Sequence, residues 1–271
     1  MKRAQDPGPV PPDLSTPTLM GVTPGDTSGL RAKQSVQKET ETLVKRLELL
    51  QNMLWAENRR AVLVILQGMD ASGKDGAVRG VFSGVSPLGL KVYSFKAPCA
   101  EELDHDFLWR IHPHCPPRGE IAVFNRSHYE DVLIARVKQL APPDELDRRY
   151  RQINEFERML GENGTTVVKF MLHISYEEQR ERLQARLDDP LKGWKFEPGD
   201  LAERKLWPQY MAAYARMLKE CDTPHAPWRV VAADHKWHRD WFIAKELVAV
   251  MEGMKPKVPA KDSRLAGVKV E

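Results

Sequence analysis

The chain has 271 residues, 42% of them hydrophobic, which suffices for the buried core of one large domain or two small ones. Its 41 basic and 38 acidic residues leave a net charge of +3, which argues against a surface dedicated to nucleic acid. Three widely spaced cysteines and the lack of an apolar stretch of about 20 residues argue against a disulfide framework and a membrane span, and predict a cytoplasmic protein.

The first 30 residues contain six prolines among glycines and serines, without a sustained apolar period. Such a composition predicts a flexible arm, and docking along a partner subunit is the alternative.

A helix is predicted from about Gln34 to Arg59. Four leucines recur there at spacings of four, three and four residues, at Leu43, Leu47, Leu50 and Leu54. This spacing places them on one face, which packs either on the core or on a second copy of the chain.

Five short apolar runs follow along the chain. The first is typical of a central strand that is buried on both faces, and all five are predicted to be strands. They are Ala61–Leu66, Val92–Phe95, Ile121–Phe124, Thr166–Leu172 and Arg229–Ala232. Segments of helical period, such as Glu145–Leu160 and Tyr176–Leu187, separate them. Strands that alternate with helices predict one doubly wound α/β domain.

The segment GMDASGKDG, from Gly68 to Gly76, directly follows the first predicted strand and precedes a helical segment. It matches the phosphate-binding pattern G-x-x-x-x-G-K, in which backbone N–H groups and the helix dipole hold phosphate oxygens. Lys74 then reaches the β- or γ-phosphate as a point charge. The predicted phosphate-binding residues are Gly68, Ala71, Ser72, Gly73, Lys74, Asp75 and Gly76.

Two carboxylates make this loop unusual. Asp75 stands where ordinary P-loop enzymes carry the Ser or Thr that holds Mg²⁺. A functional role and a structural role, as a complement to the helix dipole, are equally open for it. Asp70 lies inside the loop, where a carboxylate repels phosphate unless a cation lies between them. We predict that Asp70 binds Mg²⁺ or orients the attacking phosphate.

The third predicted strand ends in FNRSHYED, and ligands in such folds lie at the carboxyl ends of strands. Arg126 is predicted to clamp a phosphoryl group with a forked pair of hydrogen bonds. Glu130 and Asp131 are adjacent on a helix and diverge in direction, so at most one faces the metal. Asp131 is the candidate metal ligand, with Asp70, whereas Asn125 and Glu130 are candidates for the nucleotide side.

A basic segment at about residues 180–205 is predicted to form a lid. Its helical start is interrupted by Asp188-Asp189-Pro190, so a helix breaks there into a loop, as in lids that place arginines on a transferring phosphate. Arg186, nearest to the break, is the predicted lid arginine. Trp194 and Lys195 are candidates for covering a nucleobase or closing the lid, with core packing as an equal alternative for the tryptophan.

Several motifs together resemble the polyphosphate kinase 2 family, over residues 30–253. They are GMDASGKDG, FNRSHYEDV, RLDDPLKGWKF, LWPQYMAAYARML and APWRVVAADHKWHRDW. The resemblance implies a three-layer α/β/α P-loop kinase fold with a central parallel sheet and a helical lid. It also implies Mg²⁺-dependent phosphoryl transfer by a homo-oligomer, a dimer or tetramer, in which the catalytic residues are Asp70, Lys74, Arg126 and Arg186.

The resemblance further implies a basic channel for the polymer. The candidate channel residues are Arg79, Lys192, Arg204 and Lys205. Position 125 departs from many family members, which have Asp where this chain has Asn125, so the chain lacks one negative charge near the metal. The NRSHYED segment resembles the subgroup that phosphorylates both nucleoside monophosphates and diphosphates.

These interpretations divide the chain into an arm (1–30), a phosphotransferase domain (31–255) and a basic tail (256–271). The predicted function is reversible phosphoryl transfer between inorganic polyphosphate and AMP or ADP, with adenine or guanine nucleotides and no nucleic acid or membrane as partners. One alternative is an ATP-dependent nucleotide or small-metabolite kinase, which would normally carry Ser or Thr at position 75. Another is a non-catalytic regulator that binds polyphosphate or nucleotides.

Overall fold

The computed structural model describes residues 15–30, 33–191, 193–196, 198–265 and 270. A single sheet of five parallel strands forms its centre. The strands are β1 (Ala61–Gln67), β2 (Leu90–Ser94), β3 (Ile121–Asn125), β4 (Thr165–His173) and β5 (Trp228–Ala232). Their spatial order is β2-β3-β1-β4-β5, so β1 lies in the middle. The predicted central parallel sheet is confirmed.

Helices connect these strands and cover both faces of the sheet. Among the described residues they are α1 (Lys33–Glu57), α2 (Lys74–Phe82), α3 (Ala100–Leu103), α4 (Ile134–Val137), α5 (Pro143–Glu162), α6 (Tyr176–Asp188), α7 (Pro198–Lys205), α8 (Trp207–Cys221) and α9 (Lys236–Met254). Helices α1, α2 and α9 pack together on one face, and α5 and α8 pack together on the other. The predicted three-layer α/β/α architecture is therefore confirmed.

Strand β1 is buried along its whole length because helices cover it on both sides. Val62 and Val64 belong to the core beneath α1, whereas Leu63 and Ile65 belong to the core on the opposite face. This double burial explains why the strand reads as a continuous apolar run.

The leucine face of α1 packs on the core of the same chain. Leu47, Leu50 and Leu54 are buried in the cluster that includes the β1 valines, and Leu43 packs at its margin. Of the two predicted roles for this face, packing on the core is the correct one.

Residues 15–24, which we call the N-terminal strap, lie against the ends of β4 and β5. The hydroxyl of Thr16 accepts a hydrogen bond of 2.9 Å from the backbone N–H of Tyr176, and the carbonyl of Pro17 lies 2.8 Å from Nε2 of His173. Leu19 is only 3% exposed and belongs to the core. The prediction of a flexible arm is therefore wrong for the strap, whereas residues 1–14 lie outside the described residues.

At the other end of the chain, residues 257–264 are exposed. The boundary of a basic tail near residue 256 stays a prediction. In the part of the chain that the structure describes, no helix is both long enough and apolar enough to cross a bilayer.

Candidate active site

The predicted phosphate-binding loop lies between the end of β1 and the first turn of α2, at the carboxyl edge of the sheet. Gly68 and Gly73 have φ angles of 155° and 98°, which side chains disfavour. A Cβ atom at Gly68 would lie 2.6 Å from the carbonyl oxygen of Leu172, and one at Gly73 would overlap Nη1 of Arg239. Both positions therefore require glycine, for conformation and for space.

Lys74 is drawn into the loop and is only 8% exposed. Its ammonium group donates hydrogen bonds of 2.7 Å and 3.2 Å to the carbonyls of Gly68 and Met69. Burial lowers the pKa of Lys74 below its ordinary value, and the negative charge of Asp70 counteracts this effect. The lysine is thus held in place by the carbonyls of the predicted phosphate-binding loop.

Asp70 pairs with Arg126 across the loop. The guanidinium Nη2 donates a hydrogen bond of 2.8 Å to Oδ1 of Asp70, and the two side chains remain 42% and 34% exposed. Burial raises the pKa of Asp70, but the positive charges of Lys74, Arg126 and Arg186 outweigh it, so that the pKa lies below its ordinary value. The loop therefore presents an ionised carboxylate that a solute can reach.

Glu130 joins this group of charges. Burial raises its pKa above the ordinary value, although the charges of Arg126 and Lys74 oppose the shift. With the amide of Gln67 oriented to satisfy both of its polar atoms, its nitrogen donates to Oε1 of Glu130 at 3.0 Å and its oxygen accepts from the Ser127 hydroxyl. Glu130 is thus the second carboxylate of the site.

Asp131 points elsewhere. Its carboxylate lies 3.5 Å from Nη1 of Arg149, which also donates a hydrogen bond of 2.9 Å to the Asp131 carbonyl. Residues His128–Asp131 form a 3₁₀ turn, in which consecutive side chains project about 120° apart. The prediction that Asp131 shares a metal with Asp70 is wrong, because Glu130 occupies that side of the turn.

Asn125 and Asp75 form a direct contact. The side-chain amide of Asn125 donates a hydrogen bond of 2.7 Å to Oδ1 of Asp75, in the first turn of α2. A carboxylate at position 125 could not donate this bond, and it would face the negative charge of Asp75. The asparagine therefore links the end of β3 to the start of α2.

The residues of the predicted lid differ in burial and in their contacts. Arg186, in the last turn of α6, is half-buried, and its charge helps to lower the pKa of Asp70. Trp194 is 76% exposed and donates its indole N–H to the carbonyl of Leu191 at 3.1 Å, so core packing is excluded for it. Lys195 lies in a short 3₁₀ helix, and Lys192 lies outside the described residues.

The remaining candidate channel residues lie in different environments. Arg79, in the last turn of α2, and Lys205 are exposed. Arg204 is only 9% exposed, and its Nη1 donates to the carbonyl of Tyr176 at 2.7 Å and to Oε1 of Gln179 at 2.8 Å. Its guanidinium also stacks over the Tyr176 ring. The prediction that Arg204 contacts the polymer is wrong, because burial and internal hydrogen bonds occupy it.

Three buried residues around the loop escaped prediction. Arg182 and Gln179, on α6, donate hydrogen bonds to carbonyls of the loop, and Arg239 packs against Gly73 and pairs with Asp240 at 2.7 Å. The one sequence signal was the spacing of four residues between Arg182 and Arg186, which places both on one helix face.

The model of the polyphosphate kinase 2 family matches residues 31–259. The chain belongs to the polyphosphate kinase 2 family. This finding covers the whole of the sheet, the loop and the lid, and it agrees with the motif-based resemblance.

Two relatives and one solved structure in this family align over most of their length. The chain is 49% identical over 249 residues to the AMP/ADP-polyphosphate phosphotransferase of Meiothermus ruber, covering 92% of this chain and 93% of that protein. It is 45% identical to the ADP-polyphosphate phosphotransferase of Rhodopseudomonas palustris, and the alignment covers 84% of this chain and 83% of that protein. The crystal structure of polyphosphate kinase 2 from Arthrobacter aurescens is 44% identical and superimposes with a TM-score of 0.88 over 93% of this chain and 92% of that one.

Proposed function

We propose that this polyphosphate kinase 2 family member transfers phosphoryl groups between inorganic polyphosphate and adenine nucleotides, with both AMP and ADP as acceptors. The observation that carries the proposal is the 2.8 Å pair of Asp70 and Arg126 at the phosphate loop, within the field of Lys74 and Arg186. The name of the Meiothermus relative supports the choice of both acceptors.

The residues of the site fit Mg²⁺. Among the described residues there is no group of three His, Cys, Asp or Glu that could hold a metal alone. Protein sites for Mg²⁺ commonly supply one or two carboxylates and leave the other positions to water and substrate phosphates. Asp70, ionised and one-third exposed, matches that requirement. Mg²⁺ bound there with phosphate oxygens would offset the negative charge of the reacting groups.

The protein groups divide the work of transfer. The N–H groups of the loop and the N-terminus of α2 hold the phosphates, and Lys74 adds a fixed positive charge beside them. A terminal phosphorus–oxygen bond of the polymer breaks as an oxygen of the acceptor phosphate forms a new one. Arg126 and Arg186 stabilise the charge that spreads over the transferring group, and closure of the lid keeps water out.

Several finer points remain predictions. They are the use of guanine nucleotides, the favoured direction of transfer, the assembly into a dimer or tetramer and the cytoplasmic location. Arg79 and Lys205 are exposed and stay candidates for the polymer channel.

The test is a transfer assay with purified protein, Mg²⁺ and long-chain polyphosphate, with AMP or ADP in separate reactions and chromatographic separation of the nucleotides. We expect ADP and then ATP from AMP, and ATP from ADP. Product from ADP alone would restrict the enzyme to diphosphates. Transfer from ATP to a metabolite without polyphosphate would support the ordinary kinase, and tight polyphosphate binding without product would support the regulator.

A further inference from the structure

Helix α6 holds three consecutive carbonyl groups of the phosphate loop. Nε2 of Gln179 donates to the carbonyl of Asp70 at 3.0 Å, and Nη1 of Arg182 donates to those of Ala71 and Ser72, each at 3.0 Å. In a loop that binds anions, N–H groups converge on the ligand, and the carbonyls of the same peptides point away from it. Donors that fix the carbonyls of Asp70 and Ser72 therefore fix the direction of the N–H groups of Ala71 and Gly73, whereas the N–H of Ser72 donates to the carbonyl of Met69 at 3.0 Å.

Arg182 uses all of its donors in this arrangement. Besides the two loop carbonyls, Nη2 donates to the carbonyls of Ala233 and Asp234 at 2.7 Å and 2.8 Å, and Nε donates to Glu178 at 2.7 Å. Arginine has five N–H donors, and five acceptors occupy them. Its side chain is 10% exposed. Arg182 has no donor left for a substrate phosphate, so its contribution is made through the loop.

Gln179 is oriented by a second arginine. Its Oε1 accepts a hydrogen bond of 2.8 Å from Arg204, whose guanidinium also lies against the carbonyl and ring of Tyr176. Since Arg204 only donates, it forces the oxygen of the Gln179 amide towards itself and the nitrogen towards the carbonyl of Asp70. Helix α7 is thereby connected to the phosphate loop through one buried amide.

We propose that Arg182 and the Arg204–Gln179 pair are positioning residues for phosphoryl transfer, an inference that rests on the proposed function. They set the peptide groups of residues 70–72, and with them the phosphate-binding N–H groups and the Asp70 carboxylate. They also attach α6 to the loop, so that Arg186, one turn beyond Arg182, stays directed at Asp70. Helix α6 then belongs to the same fixed body as the phosphate loop.

The test compares R182M and R182K with R180M, which changes an exposed arginine of the same helix. We expect R182M to lower kcat about 100-fold, because displacement of reacting groups by about 1 Å has that effect. R182K keeps the charge but has three donors for five acceptors, so we expect an intermediate loss. R180M should match the wild type. In R182A, which leaves space for the missing group, methylguanidine at non-denaturing concentration should restore part of the activity, which a general loss of stability would not allow.

A second variant covers the case in which R182M does not fold. Q179E keeps the size of the side chain and still accepts from Arg204, but it turns an acceptor towards the carbonyl of Asp70. We expect a lower kcat and a weaker affinity for inorganic triphosphate with Mg²⁺, measured by calorimetry. Folded R182M and Q179E with kcat and triphosphate affinity within twofold of the wild type would overturn the proposal. If the wild type itself transferred nothing from polyphosphate, the proposed function would fail, while the calorimetry would still decide whether these residues position the loop.

Discussion

The guanidinium of Arg126 donates a hydrogen bond of 2.8 Å to the carboxylate of Asp70, although the two residues are 56 positions apart in the chain. The contact follows from the sheet, because β1 and β3 are neighbours and each residue lies just beyond the end of its strand. Arg126 reaches this place with a φ of 66°, a left-handed conformation that costs a non-glycine residue free energy and that recurs at functional sites. A candidate phosphate-binding cation and a candidate Mg²⁺ ligand are thus in direct contact.

Replacement of Asp70 by asparagine removes the charge of the side chain and keeps its shape, so the contribution of the charge can be measured. D70N keeps an oxygen for Arg126 but removes the negative charge, so we expect kcat to fall at least about 100-fold while polyphosphate binding persists. R126K keeps the positive charge and loses the forked geometry, and it should also be impaired. The measurements are steady-state transfer kinetics over a range of Mg²⁺ concentrations and calorimetric binding of polyphosphate. Unchanged transfer by D70N would remove Asp70 from the mechanism.

Glu130 should make the stability of the protein depend on pH in a defined direction. Burial raises its pKa above the ordinary value of 4.5, so the folded state favours the protonated form. Its contribution to stability is complete below pH 4.5 and is lost as the pH rises through the folded-state pKa. We therefore expect E130Q to gain stability relative to the wild type as the pH rises above 4.5, in urea unfolding. E155Q, at an exposed site on α5, should show no such trend.

A buried ion pair lies beneath the NRSHYED segment. Nζ of Lys169 donates hydrogen bonds to Glu157 at 2.6 Å and to the Tyr129 hydroxyl at 2.8 Å, and both charged side chains are 0% exposed. K169M leaves the Glu157 carboxylate without its partner, and we expect a loss of about 3–5 kcal/mol in the free energy of unfolding. The double variant K169M/E157Q should lose less than K169M alone.

A surface pair provides the control for this cycle. Arg158 and Glu162 pair on α5, the helix that also carries Glu157, and their side chains are 55% and 61% exposed. R158M should therefore lower the free energy of unfolding by less than about 1 kcal/mol. A K169M protein as stable as R158M in chemical unfolding would contradict the assignment of Lys169 as the compensating charge.

The N-terminal strap should contribute measurably to stability. L19A removes a side chain that is 3% exposed, and we expect the free energy of unfolding to fall by about 2 kcal/mol or more. The loss cannot exceed the free energy that is needed to detach the strap from the body. The adjacent residue is a matched control, because Met20 is 52% exposed and M20A should change stability by less than about 0.5 kcal/mol. Thermal and urea unfolding of the two variants provide the comparison, and equal effects would show that the strap is not held by Leu19.

The elements that could be predicted are those with a local signature. The central strand was recognisable because burial on two faces demands a continuous apolar run, and β1 shows this pattern. The phosphate loop was recognisable because its glycines and Lys74 are close together in sequence. Arg126 and Arg186 could be assigned from their places at the end of a strand and before a helix break.

The incorrect predictions concern side chains whose surroundings come from distant segments. The charge pattern of residues 180–205 does not reveal that Arg204 is covered and bonded to Gln179. The contacts of Arg182 could not be predicted because four of its five acceptors are backbone carbonyls, which any residue provides. The choice between Glu130 and Asp131 depended on a 3₁₀ turn whose direction the letters do not encode.

The prolines are the reason why the order of the N-terminal strap was not predicted. Their frequency suggested disorder, yet proline lacks only the backbone N–H and keeps its carbonyl. Pro17 and Pro24 use those carbonyls to contact His173 and the N–H of Asp234. A segment with prolines can therefore dock through its carbonyls where another part of the chain offers donors.

The central position of β1 determines when the sheet can form during synthesis of the chain. Its two neighbours, β3 and β4, leave the ribosome well after it, and Arg182 needs the carbonyls of Ala233 and Asp234, which follow β5. A nascent chain that ends before these residues carries the glycine-rich segment but lacks the groups that shape it. The contacts that shape this segment are therefore complete only after the residues beyond β5 have been synthesised and have joined the body.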